Sequence, residues 1–173
     1  MGCASSITYL FLTLGPFVGI SMIGLTPDEY GFLNLIPPVG LIRCSLASNW
    51  LGSRRERLDC IQIGGAISLL AIAVIFFFFI FGKINIWTLF FPIPFLFFGT
   101  TLIFNNASTF ALDNMQDKSN GSAIMSFINL ILPTTAVLLV GSINSLNPIL
   151  MPTFFFFFVL LLLFLQKSLK VLS

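Results

Sequence analysis

NWLGSRRERLDCIQIGGAISLLAIAVIFFFFIFG, Asn49 to Gly82, joins the most polar stretch of the chain to one of its most apolar. Its first part, through Asp59, gathers three of the eight basic residues, Arg54, Arg55 and Arg57. The run that follows, Cys60 to Gly82, has no charged residue and is long enough to cross a bilayer core of about 30 Å as a helix. The junction reads as a membrane edge, with charge kept in water on one side and apolar side chains in lipid on the other.

The whole composition agrees with that reading. The 173 residues are 57% hydrophobic and 8% charged, with 22 Phe, whereas soluble domains carry about 25% charged residues. Too few polar groups exist to cover a water-facing exterior, so the lipid bilayer is the expected partner. A net charge of +2, without basic and aromatic residues interleaved, excludes nucleic acid.

Working outward from Asn49–Gly82, six runs of about 20 apolar residues stand between polar or turn-forming breaks. They predict helices at 6–24, 29–51, 60–82, 87–112, 122–143 and 148–166. Thr26, Pro27 and Glu29 have the order of an N-cap, a first helical residue and a capping-box acid. Asn147 and Pro148 repeat the cap and first position. The fold class is therefore an all-α membrane protein, one bundle of six transmembrane helices.

With six spans, alternate loops lie on opposite sides. One side collects Arg54, Arg55, Arg57, Lys118, Lys167 and Lys170, and the other only Lys83. The excess of Lys and Arg marks the cytoplasmic side, which places both termini there in a multi-pass protein. On this reading the basic loop is first a topology anchor. The first segment lacks a basic start and is long enough to span, so it reads as a retained helix and not a signal peptide.

Several small motifs carry no weight. MGCASS fits an acylation pattern, but six spans already hold the chain in the membrane. The acceptor patterns at Asn106 and Asn120 fall inside a predicted helix and on the cytoplasmic side. Cys3, Cys44 and Cys60 lack metal or redox spacing. There is no His, and Asp28, Glu29, Glu56, Asp59, Asp113 and Asp117 all fall at helix ends or in loops. The residue set offers no nucleophile with a base and no metal site, so neither an enzyme nor a cofactor is expected.

What the spans do contain is helix breakers. Divided into two triplets, the first helix of each is interrupted, at Gly15 and Pro16 in one and at Pro92 and Pro94 in the other. Transporters built from inverted three-helix repeats carry such interruptions at corresponding positions, beside the substrate path.

Three passages carry a family resemblance. GPFVGISMIGLTPDEYGFLNLIPPVGLI (Gly15–Ile42), LIFNNASTFALD (Leu102–Asp113) and NGSAIMSFINLIL (Asn120–Leu132) are similar, in order and spacing, to segments of the seventh and eighth, tenth and eleventh helices of major facilitator superfamily transporters. The chain resembles the C-terminal six-helix half of such a protein, and most of all the Bcr/CflA-like drug/proton antiporters. The resemblance implies two inverted three-helix repeats, multidrug or small-molecule efflux coupled to protons, and a bacterial cytoplasmic (inner) membrane. It also implies a gate-like cytoplasmic loop at Asn49, Gly52, Arg54, Arg55 and Arg57. The family's Gly-x-x-x-Asp-Arg-x-Gly-Arg-Arg element is degenerate here: Gly52, Arg54 and Arg55 fit, while Ser45, Asn49, Trp50 and Ser53 depart. Asn49 stands where the family has Asp, which leaves Asp113 as the acid available to pair with one of the arginines.

Arg43 is the one charge inside a span, and intramembrane charges either serve function or snorkel to the surface. Candidates for the substrate pathway are Phe17, Thr101, Asn105, Asn106, Asn129 and Thr134, aromatic and hydrogen-bonding groups of the kind an amphipathic ligand needs. The competing reading is that such residues tie membrane helices together. The resemblance covers one six-helix half, and no carboxylate lies within the spans. Transport then requires a separate N-terminal half or a homodimer partner. The alternative is a truncated membrane remnant or interaction protein without transport of its own.

Overall fold

The computed structural model describes residues 1–52, 56–113, 115–143, 147 and 149–172, and the side chains of all these except 49–52 and 167–172. Arg54, Arg55 and Pro148 lie outside the described residues, as do the side chains of Asn49, Lys167 and Lys170 and the surroundings of Gly52.

Every regular element among the described residues is a helix. α1 (Gly2–Pro16) continues as a π-helical segment, Phe17–Met22; α2 is Pro27–Leu33, α3 Ile36–Gly52, α4 Arg57–Ile80, α5 Ile86–Phe90, α6 Ile93–Asp113, α7 Lys118–Gly141 and α8 Leu150–Leu172. Five spans, Gly2–Met22, Pro27–Ser48, Arg57–Ile80, Ile86–Asp113 and Lys118–Gly141, are long and apolar enough to cross a bilayer, and α8 is apolar from Leu150 to Gln166. The protein is an all-α, multi-pass membrane protein.

Two expected single helices are each divided, for the same reason. The run expected at 29–51 stops at Leu33 and restarts at Ile36, because Pro37 and Pro38 cannot donate and their rings would clash with the carbonyls of Leu33 and Asn34. Both prolines instead occupy the first turn of α3, where the missing N–H costs nothing. Pro92 and Pro94 divide 87–112 into α5 and α6 in the same way.

Helix ends also follow local chemistry. Thr26 Oγ1 accepts from the Glu29 N–H at 3.3 Å, and the Glu29 carboxylate accepts from the Thr26 N–H at 2.9 Å, a complete capping box that starts α2. Asp117 accepts from the N–H groups of Ser119 and Asn120 at 3.0 and 3.2 Å. That cap starts α7 at Lys118, four residues before the expected 122, so the polar run Lys118–Gly121 is a first turn and not a loop. α1 begins at Gly2 and not Ser6, and α4 at Arg57 and not Cys60. Gly24 and Gly82, with φ of 83° and 65°, let the chain leave the π segment and α4, a conformation that only glycine adopts cheaply.

α1 and α6 form the centre. In an 18-residue apolar window of each span, half or more is buried in Gly2–Met22 and Ile86–Asp113, against 17% in Pro27–Ser48 and in Lys118–Gly141. α6 packs on α3 and α4, α1 on α7 and α8, α4 on α8, and α1 meets α6 directly, where Phe11 and Phe97 stand edge to face at 5.5 Å. Small residues set the closest approaches, which is how membrane helices gain van der Waals contact without a hydrophobic driving force. Gly40 of α3 lies on the Pro94 carbonyl, and Gly99 of α6 lies on Gly64 and Ser68 of α4.

Candidate functional site

Most hydroxyls of the bundle bond to their own helix. Thr13, Ser45, Thr134 and Thr153 each donate to the carbonyl four residues back, at 2.7 to 3.1 Å. This is the cheapest way to satisfy a hydroxyl in lipid.

Some hydroxyls depart from that rule, among them the buried Ser68 hydroxyl of α4, which has no hydrogen-bond partner among the described residues, and several of them gather in one groove. Between α1, α3 and α6 lies a groove of about 400 Å³, lined by Ser5, Thr8 and Tyr9, by Leu41, and by Thr101 and Asn105 among others. Thr8, Tyr9, Thr101 and Asn105 make no side-chain hydrogen bond among the described residues. Ser5, Thr8 and Tyr9 share one face of α1 at spacings of three and four, and Thr101 and Asn105 share one face of α6. The groove thus collects uncommitted donors and acceptors on an otherwise apolar wall. Ser5 also donates to the Asn129 side-chain oxygen at 3.3 Å, joining the groove wall to α7.

The expected pathway residues separate. Thr101 and Asn105 line the groove, and Asn129 touches it through Ser5. Asn106 is buried and donates to the Leu102 carbonyl at 2.8 Å, so its amide is used within its own helix. Thr134 is exposed on α7, bonded to Leu130. Phe17 lines a different cavity, of about 220 Å³, at the other end of α1. Of the break positions, Gly15 lies beneath the Tyr30 hydroxyl, Pro16 precedes the π segment, and Pro92 lines an apolar crevice between α4 and α6.

Arg43 is exposed. It stands two residues beyond the groove-lining Leu41, hence on nearly the opposite side of α3. At the end of the bundle that holds Met1, Arg57 at the start of α4 pairs with Asp113 at the end of α6. Both side chains are over two-fifths exposed. Met1 itself meets Ser108 of α6, while Lys83 follows α4 at the far end. Among the described residues no three His, Cys, Asp or Glu side chains gather to hold a metal ion.

Sequence reasoning missed Ser5, Thr8 and Tyr9. Their spacing of three and four within an apolar helix is the signal, but it is visible only once the helix is known to start at Gly2. No protein-family model matches the chain, and no curated protein or solved structure matches it.

Proposed function

We propose that this bundle is one half of a major facilitator superfamily transporter and that it contributes to efflux of small molecules, coupled to protons, when joined to a second six-helix body. The observation that carries the reading is the groove, where four uncommitted polar side chains face an apolar wall beside the two central spans. Such a surface suits a ligand with apolar bulk and a few hydrogen-bonding groups.

The packing supports an internal repeat. Number the spans one to six, with α2–α3 as the second and α5–α6 as the fourth. The close pairs are then one with five, one with six, one with four, two with four, three with four, and three with six. The lighter pairing of two with three has no counterpart of similar extent between five and six, but exchanging one with four, two with five and three with six returns these six most extensive pairings. Two inverted three-helix repeats have this property. The end bearing Met1, Arg57 and Lys118 is the cytoplasmic one by its positive charge, in a bacterial inner membrane by the family resemblance.

A second reading, a membrane remnant or interaction protein without transport, is favoured by one fact: all six acids lie at helix ends or in loops, so these spans supply no proton carrier. Dye efflux from a pump-deficient bacterial strain separates the two. The chain expressed with an N-terminal six-helix half is expected to lower dye retention, and Thr101→Leu to restore it. Unchanged retention across a panel of cationic and neutral dyes, with both halves present in the membrane, sinks the transport reading.

A further inference from the structure

The end of the bundle away from Arg57 contains the chain's π-helical turn. In Phe17–Met22 the Ile23 N–H reaches back to the Val18 carbonyl at 3.0 Å, and the Leu25 N–H reaches the Gly19 carbonyl at 3.1 Å. A wide turn of this kind adds a residue to an α-helix and costs stability unless its surroundings hold it, which is why such turns gather where helices change shape.

Here the holding group is Tyr30, on α2. Its ring covers Gly19 so closely that a Cβ there would lie 2.5 and 2.8 Å from two ring carbons, and its hydroxyl would lie 2.6 Å from a Cβ at Gly15. The residue is 7% exposed, and its ring also packs at a tilt against Phe90 of α5, with centroids 5.8 Å apart. Two glycines one turn apart thus form a slot for one aromatic ring. α2 is built to carry that ring as a unit: it is seven residues long, capped at Thr26 and cut from α3 at Asn34–Leu35. The residues that open the wide turn, Phe17 and Val18, form part of the wall of the cavity of about 220 Å³ at this end of the bundle, here called the outer cavity, with Val140, Asn147 and Met151.

We propose that Tyr30 is a latch that holds α1 in its wide-turn form, and that its withdrawal lets the turn close to α-helix and opens the outer cavity. Removing one residue from a turn rotates the helix on one side by about 100° relative to the other. Phe17 and Val18 on one side of the turn and the Leu25 anchor on the other then cannot both keep their places. The inference stands on the outer end alone and is independent of what the groove binds.

Hydrogen exchange on the full chain in lipid nanodiscs tests it. In the unmodified protein the Ile23 and Leu25 amides are expected to exchange faster than those of the α4 and α6 cores. Tyr30→Ala, and Gly19→Ala, which keeps the ring out of the slot, should each let the wide turn and the α-helical form interconvert more often. Each passage breaks the Ile23-to-Val18 and Leu25-to-Gly19 bonds, so exchange at these amides should rise by about tenfold, the equivalent of about 1.4 kcal/mol. The double variant should go no faster than either, since both empty one seat. In parallel, a membrane-impermeant maleimide should label Met151→Cys, a position 1% exposed, faster in the Tyr30→Ala background. Unchanged rates, additive rates, acceleration spread equally through α4 and α6, or labelling that does not follow exchange would each overturn the latch. Should neither variant fold, the unmodified protein still decides: exchange at Ile23 and Leu25 no faster than in α4 means the latch does not open.

Discussion

Gly99 of α6 and Gly64 of α4 touch through backbone: a Cβ on Gly99 would lie 2.6 Å from the Gly64 carbonyl oxygen, and one on Gly64 would lie 2.7 Å from the Gly99 carbonyl. Neither carbonyl can rotate away without breaking its own helix. Overpacking of a tight core costs about 1 to 3 kcal/mol, and Gly99→Val is expected at or above the top of that range, lowering the thermal midpoint in detergent. Gly31→Ala is the control, because nothing stands within 4 Å of its Cβ position. Equal midpoints for the two variants would mean that α4 and α6 do not meet at this seam.

Asp117 fixes where α7 begins. Its side chain accepts two first-turn N–H groups and also the Asn120 side-chain amide. Loss of an N-cap costs about 0.5 to 2 kcal/mol. Asp117→Ala should therefore raise amide exchange over Lys118–Gly121 while leaving the middle of α7 unchanged. Asp117→Asn, which still accepts, should restore protection.

The six apolar runs were legible because lipid demands about 20 apolar residues per helix whatever their order. The helix ends were less so. Asp117 and the Ser-Asn pair after it look like loop by composition, and only the paired N–H geometry marks them as a first turn. The prolines at 37, 38, 92 and 94 were visible, yet whether proline kinks a helix or divides it depends on what the neighbours supply to the freed carbonyls. At the groove, Thr101 and Asn105 were legible from their spacing of four. Asn106 and Thr134 have the same chemistry but spend it within their own helices. Residue type does not separate these cases; the direction of the side chain does.

Arg57 and Asp113 join the start of α4 to the end of α6 in a position open to solvent. Exposed ion pairs contribute little, and salt screens them, with a Debye length near 3 Å at 1 M. Asp113→Asn should leave the bundle folded, with a small fall in thermal midpoint at low ionic strength that disappears in 1 M salt. A large fall that persists in salt would mean that Arg57 is held away from water.

Ser5 and Asn129 give a different outcome from Thr101 and Asn105, and the contrast tests the groove. Ser5 spends its hydroxyl on Asn129 across α1 and α7, so Ser5→Ala removes a contact between helices. A single such bond contributes about 0.5 to 1.5 kcal/mol, and the thermal midpoint should fall accordingly. The side chains of Thr101 and Asn105 contribute no hydrogen bond to the fold among the described residues, so Thr101→Val and Asn105→Leu should leave the midpoint within error. If the groove takes a ligand through these groups, each substitution should instead weaken dye efflux by the complemented pair about 2- to 10-fold, the rate equivalent of one neutral hydrogen bond. Stability lost at Thr101 or Asn105 with efflux unchanged would assign both residues to helix packing and remove the groove from the transport path.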